Sequence, residues 1–175
     1  MKTTLVLALL SLALPAVFAQ APMAPDPMLK QLDRFAGNWQ CKGSDMMDPK
    51  MTHHYTSTVE AMWTLGGHWM TAKVNGIKSS DNPMPMSGVA QLGYDVQSKH
   101  FVLGWVDNMG GYATADGPGF MNNSFTFTGP NHIGGMTATG RDVFTWQNAK
   151  TMEHVFELEE HGAWRKVGDE TCTKK

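Results

Sequence analysis

The chain has 175 residues; setting Lys2 aside, 13 basic residues face 16 acidic ones, a net charge of about −3 with neutral histidines. Neither sign forms a long block, which argues against nucleic acid and against an anionic membrane surface as partners. The 18 Gly, 6 Trp and 8 Phe, with Gly interrupting the pattern at short intervals, favour many strands and tight turns, in a length that suits one domain with one core.

Residues 1–19 open with one Lys, continue through an apolar run from Leu5 to Leu14 and end in small residues, the layout of a secretory signal peptide. That run of about ten residues is too short to span a bilayer. Cleavage fits best after Ala19, with Ala21 as the second choice, and no Cys follows that would take a lipid. The expectation is a periplasmic or secreted chain without stable membrane insertion. Residues 20–28 then read as a flexible Pro-rich leader, and residues 29–175 as a single β-barrel domain.

One short helix is expected at "PDPMLKQLDRF": Asp26 caps it, Pro27 suits the first turn, and Met28, Leu29, Leu32 and Phe35 form its apolar face until Gly37 ends it. The period then changes to two. "THHYTSTVEAMW" and "HWMTAKVNG" read as strands paired across a Gly66-Gly67 turn, and "IKSSDNPMPM" as a loop. "GVAQLGYDV", "HFVLGWVDN", "YATAD" and "FMNNSFTFTG" follow as strands; "PNHIGGMTATG" reads as a Gly-rich loop; "RDVFTWQN", "TMEHVFELEE" and "AWRKVGDETC" finish the chain. About ten antiparallel strands joined mostly by hairpin-length turns form a meander, and a long meander avoids exposed edges most simply by closing. The predicted fold is therefore all-β: a closed antiparallel up-and-down barrel of about ten strands with one short N-terminal helix.

Cys41 and Cys172 are the only cysteines. In an exported chain an even pair is expected to be bridged, two buried free thiols being the alternative. Closure supports the bridge, because in a closed meander the first strand lies beside the last. Trp39 and Cys41 share a face by the period of two, and Trp39 follows the helix closely enough to seal the barrel floor against Leu32 or Phe35.

The short helix followed by "GNW", the later "LGG", "LGYD" at 92–95, "FVLGWVDN" at 101–108 and the charge-rich last strand resemble a bacterial domain-of-unknown-function family, number fifteen seventy-nine, over about Leu29 to Thr173. The resemblance implies a calycin-like barrel with a central cavity, similar in plan to lipocalins, fatty-acid-binding proteins and nitrobindins. Nitrobindin-like relatives hold haem through a His. No stretch here matches their ligand region, so no cofactor is assigned.

The nucleophile elbow, the HExxH zinc motif, phosphate-binding and dinucleotide-binding Gly loops and paired CxxC knuckles are all absent from the sequence, and no residue is assigned a catalytic role. In "TMEHVFELEE", Met152, His154, Phe156 and Leu158 share one face; if that face turns inward, His154 is a cavity histidine, with a hydrogen-bonded core His as the commoner meaning. His68 has a weaker form of the same claim. Trp63, Trp69 and Trp105 either fill the interior or line a pocket, as does Trp39, and an inward Arg141 would bind a carboxylate. Candidate lining residues are thus Trp39, Trp63, His68, Trp69, Trp105, Arg141 and His154. Met46, Met47, Met51, Met84, Met86 and Met109 sit in or near loops; thioethers bind Cu(I), but without a Met-x-x-Met array adaptable packing is the plainer meaning and no metal site is assigned. The leading expectation is a carrier of a small apolar or amphipathic ligand. The rivals are an enzyme at the barrel mouth using His154 or Glu60 as acid or base, and a structural or stress-related envelope protein with a filled core.

Overall fold

Leu29, Leu32 and Phe35 are spaced by three residues, which matches the three residues per turn of a 3-10 helix rather than the 3.6 of an α-helix. In the computed structural model, which describes residues 23–48 and 50–175, Pro27–Arg34 is such a 3-10 segment, so the expected short N-terminal helix is corrected to a 3-10 turn. Eight residues are too few to sustain an isolated α-helix, and the tighter winding stacks the three apolar side chains on one face, 5, 0 and 8 % exposed. Met28 stays outside that face at 38 % exposed. Asp26 caps the segment as expected, its Oδ1 accepting from the Met28 N–H at 2.8 Å. The expected signal peptide at 1–19 and residues 20–22 of the leader lie outside the described residues; 23–26 carry no regular structure, and Pro27 and Met28 belong to the 3-10 segment.

Strands follow in the order β1 (Gly37–Asp45), β2 (His53–Thr64), β3 (Trp69–Gly76), β4 (Ser87–Asp95), β5 (His100–Asp107), β6 (Tyr112–Gly117), β7 (Phe120–Met121), β8 (Ser124–Ile133), β9 (Met136–Asn148), β10 (Thr151–Glu160) and β11 (Ala163–Lys174). All neighbours are antiparallel. The meander runs from β6 back to β1, across to β11 and on to β8, and a β6–β8 pairing closes the ring. Ten strands form the barrel; β7 is a two-residue ladder on β8. The segment expected as a loop at 130–140 is instead the paired ends of β8 and β9 around Gly134-Gly135. Both glycines take positive φ, +58° and +80°, so a two-residue turn replaces the loop and the flanking polar residues join the ladder.

Cys41 and Cys172 stand directly opposite each other on β1 and β11 and are joined by a disulfide. Side chains opposite one another on paired strands share a face, so the register tracks a level round the barrel: Ser57, Cys41, Cys172, Met152 and Trp146 lie side by side, facing inward. All five are less than a tenth exposed. Below them the floor is sealed by the 3-10 segment. Phe35 projects into the lumen and meets Phe125, Phe144 and Trp146 edge-on at 5.7, 5.1 and 4.8 Å. The indole N–H of Trp39 donates to the Phe35 carbonyl at 2.8 Å, that of Trp63 to Asp33 at 2.9 Å, and the Phe120 backbone N–H to Gln31 Oε1 at 2.9 Å. Burial of each plug residue stabilises the fold by about 1.5–3 kcal/mol. The opposite end, where the β1–β2, β3–β4, β5–β6, β8–β9 and β10–β11 turns lie, is the mouth. No helix among the described residues is long and apolar enough to cross a membrane.

Candidate functional site

The level above the disulfide breaks the apolar pattern. Tyr55 (β2), Gly43 (β1), Glu170 (β11), His154 (β10) and Phe144 (β9) are successive cross-strand partners and so share the inner face, with Asp142 two residues before Phe144 on the same face. His154 is tied on both sides: its Nε2 donates to Asp142 Oδ1 at 2.9 Å and its Nδ1 to Glu170 Oε1 at 3.2 Å. Its ring lies flat on Phe144, centroids 4.3 Å apart and planes 10° apart. Burial alone would push the imidazolium down, but the hydrogen bonds and negative charges of Asp142 and Glu170 outweigh it, and His154 is pushed up to about 10. It is therefore a cation at neutral pH, held between two carboxylates.

Tyr55 reaches towards Glu170 over Gly43, where a Cβ would lie 2.8 Å from the Tyr55 ring, 2.6 Å from Glu170 Cβ and 2.2 Å from the Asp169 carbonyl oxygen. No larger residue fits there. Burial, then the charges of Glu170, Asp45 and Asp169, raise the Tyr55 phenol above its ordinary range, so it remains a neutral hydrogen-bond donor. The side chains of His154, Asp142 and Glu170 are 19, 18 and 15 % exposed, although they face the lumen. Solvent therefore reaches this level. Val74, Trp105 and Phe156, also inward by register and partly exposed, continue the wall towards the mouth. The Trp105 ring lies over Gly88, and its indole N–H donates to Asp107 at 3.1 Å.

The candidate residues read from the sequence separate into two groups. Trp39, Trp63, Trp105 and His154 face inward, the first two in the sealed floor. His68, Trp69 and Arg141 do not. Half-buried His68 pairs through Nε2 with the Met23 carbonyl at 3.0 Å, and Trp69 covers Gly93 on the outer wall, because its neighbour Met70 takes the inner position. Arg141 is outside because Asp142 is inside: it pairs with Glu157 and lies 4.4 Å over the Trp164 ring. Glu60 is likewise exposed on the outer wall, opposite Lys73. Tyr55, Asp142 and Glu170 are the site residues the sequence reading missed. Their signal was phase: each lies an even number of residues from an inward anchor, Tyr55 from Ala61, Asp142 from Trp146 and Glu170 from Cys172.

This arrangement limits the chemistry. With both ring nitrogens donating to carboxylates, His154 offers no lone pair to a metal or haem iron, and a group titrating near 10 is already protonated where a general base must be free. The inner row supplies carboxylate acceptors and a phenol donor beside aromatic surface.

A closed ten-stranded antiparallel barrel, sealed at one end and polar at mid-height, is a calycin-like barrel. The chain belongs to the family described as Protein of unknown function (DUF1579), whose profile matches residues 24–174. Comparison with curated proteins found no match. The crystal structure of Rv2717c from M. tuberculosis is similar with a TM-score of 0.68 over 86 % of this chain and 99 % of that one; at 10 % identity the likeness shows a shared fold.

Proposed function

We propose that this barrel is a periplasmic or secreted binding protein that takes a small amphipathic molecule through its mouth. The observation that carries the reading is the solvent-reached inner row of Tyr55, Glu170, His154 and Asp142, set above a floor that Phe35, Trp39 and Trp146 fill. A ligand's polar group would bond to Asp142 and Glu170, and its apolar part would lie on Val74, Trp105 and Phe156. The secretory layout of residues 1–19 and the Cys41–Cys172 bridge support export.

Gly168 provides the test. It lies opposite Phe156 in the lumen, and a Cβ there would meet Ser44 O at 3.6 Å and Phe156 Cβ at 3.9 Å, ordinary contacts. Gly168→Leu should therefore fold while narrowing the lumen. Native mass spectrometry of protein purified from its own cells should show a bound small molecule on the wild type and little on the variant. A wild type without bound mass, whose tryptophan fluorescence also ignores added amphiphiles, would overturn the proposal.

A further inference from the structure

The barrel's sealed end carries a second, unrelated feature. Outside the plug, the end of the 3-10 segment, the β9–β10 turn and the last strand enclose a cleft of about 480 Å3, lined by Arg34, Asn123, Trp146, Asn148 and Lys174 among others. That volume suits a small molecule. Two cations flank it, and each is held by an aromatic face rather than by a carboxylate. The Arg34 guanidinium lies 4.3 Å over Phe120 and 6.0 Å from the Trp146 ring; the Lys174 ammonium lies 5.1 Å over Trp39. Neither takes part in an ion pair among the described residues. Glu153, near the start of β10, is engaged instead by Gln147 Nε2 at 2.6 Å.

The rest of the wall is rich in donors. Asn148 uses its Oδ1 to accept from the Lys150 N–H at 2.8 Å, which leaves its NH2 group for a ligand. Trp146, which forms the floor, is 2 % exposed, and its Nε1–H is buried with no acceptor among the described residues. Guanidinium, ammonium and amide donors around a small cleft without competing carboxylates match the lone pairs of a carboxylate or phosphate group.

We infer that the cleft between Arg34 and Lys174 at the sealed end of the barrel is a binding site for a small molecule carrying an oxyanion. The stacked Arg34 supplies a planar, pre-oriented fork, Lys174 a point charge, and Asn148 a neutral donor. This site lies on the other side of the aromatic plug from the mouth, so its occupation is independent of ligand entry there.

Isothermal titration calorimetry on the mature chain with sodium citrate and sodium phosphate, against sodium chloride at matched ionic strength, tests the inference and separates carboxylate from phosphate. Saturable binding of one oxyanion is expected. Arg34→Met keeps an apolar stem over Phe120, and Lys174→Met does the same over Trp39; each should weaken binding at least tenfold, as loss of a charge-assisted hydrogen-bonding partner does. Gly168→Leu, which changes only the lumen, should bind as the wild type does. Heat signals no greater than those with chloride, or equal affinities in wild type and both methionine variants, would overturn the inference. Should Arg34→Met fail to fold by circular dichroism, Lys174→Met decides alone.

Discussion

The charge arrangement around His154 dictates how stability depends on pH. In the unfolded chain a histidine titrates near 6.5, whereas in the barrel Asp142 and Glu170 push His154 up to about 10. Between these values the folded protein holds one proton more than the unfolded chain, so stability falls as pH rises. The contribution is fully present below the unfolded value and is lost as pH climbs through the folded one. One proton of difference gives a slope of ~1.4 kcal/mol per pH unit, or ~3 kcal/mol between pH 7.5 and 9.5. Urea unfolding followed by tryptophan fluorescence at half-unit steps, on wild type and on His154→Gln, measures it. The wild type should lose ~3 kcal/mol more than the variant across that window, with unchanged m-values. Asp142→Asn should give an intermediate slope, because one of the two anionic partners is gone. Parallel pH profiles for wild type and His154→Gln would refute the assignment of an imidazolium held between Asp142 and Glu170.

The remaining predictions concern the frame. The Cys41–Cys172 bridge closes a separation of 131 residues, so the double variant Cys41→Ala/Cys172→Ala should lose about 5 kcal/mol in the chain-entropy treatment, read as a lower urea midpoint; a loss below 1 kcal/mol would mean the unfolded chain is already held together at that seam. Leu32 is fully buried in the floor, and Leu32→Ala should cost about 2–5 kcal/mol by chemical denaturation, whereas Met28→Ala, on the exposed side of the same segment, should change stability by less than about 0.5 kcal/mol.

The sequence made the frame legible because its signals are local. Turn pairs such as Gly66-Gly67 and His161-Gly162, and the alternation in β10, mark strands without any knowledge of partners. The distant cysteines are expected to bridge because they are an even pair in a chain with a secretory layout, and the closure that the meander implies brings them side by side. Inner and outer faces were harder to tell apart. In "RDVFTWQN" the apolar neighbours Val143 and Phe144 point to opposite faces, so phase is ambiguous until β10 supplies Met152 opposite Trp146 and His154 opposite Phe144; only then does Arg141 fall outside and Asp142 inside. Trp69 and Met70 pose the same ambiguity, settled by the pairing of Trp63 with Met70. The polar row was hidden for another reason: Tyr55, Asp142 and Glu170 look like solvent-facing residues until register places them around His154. The floor is partly readable, since Leu29, Leu32 and Phe35 identify the plug, while their three-residue spacing fits a 3-10 turn as well as one face of a short α-helix.

Because β1 is hydrogen-bonded to β11, the earliest strand to be synthesised waits for the latest. Until the final 12-residue strand has emerged, a nascent chain carries raw edges on β1 and β10, the kind of surface that sticks to other chains. The covalent clasp at Cys41 and Cys172 can snap shut only after that moment, so it acts as a lock on finished molecules and gives no help to half-made ones.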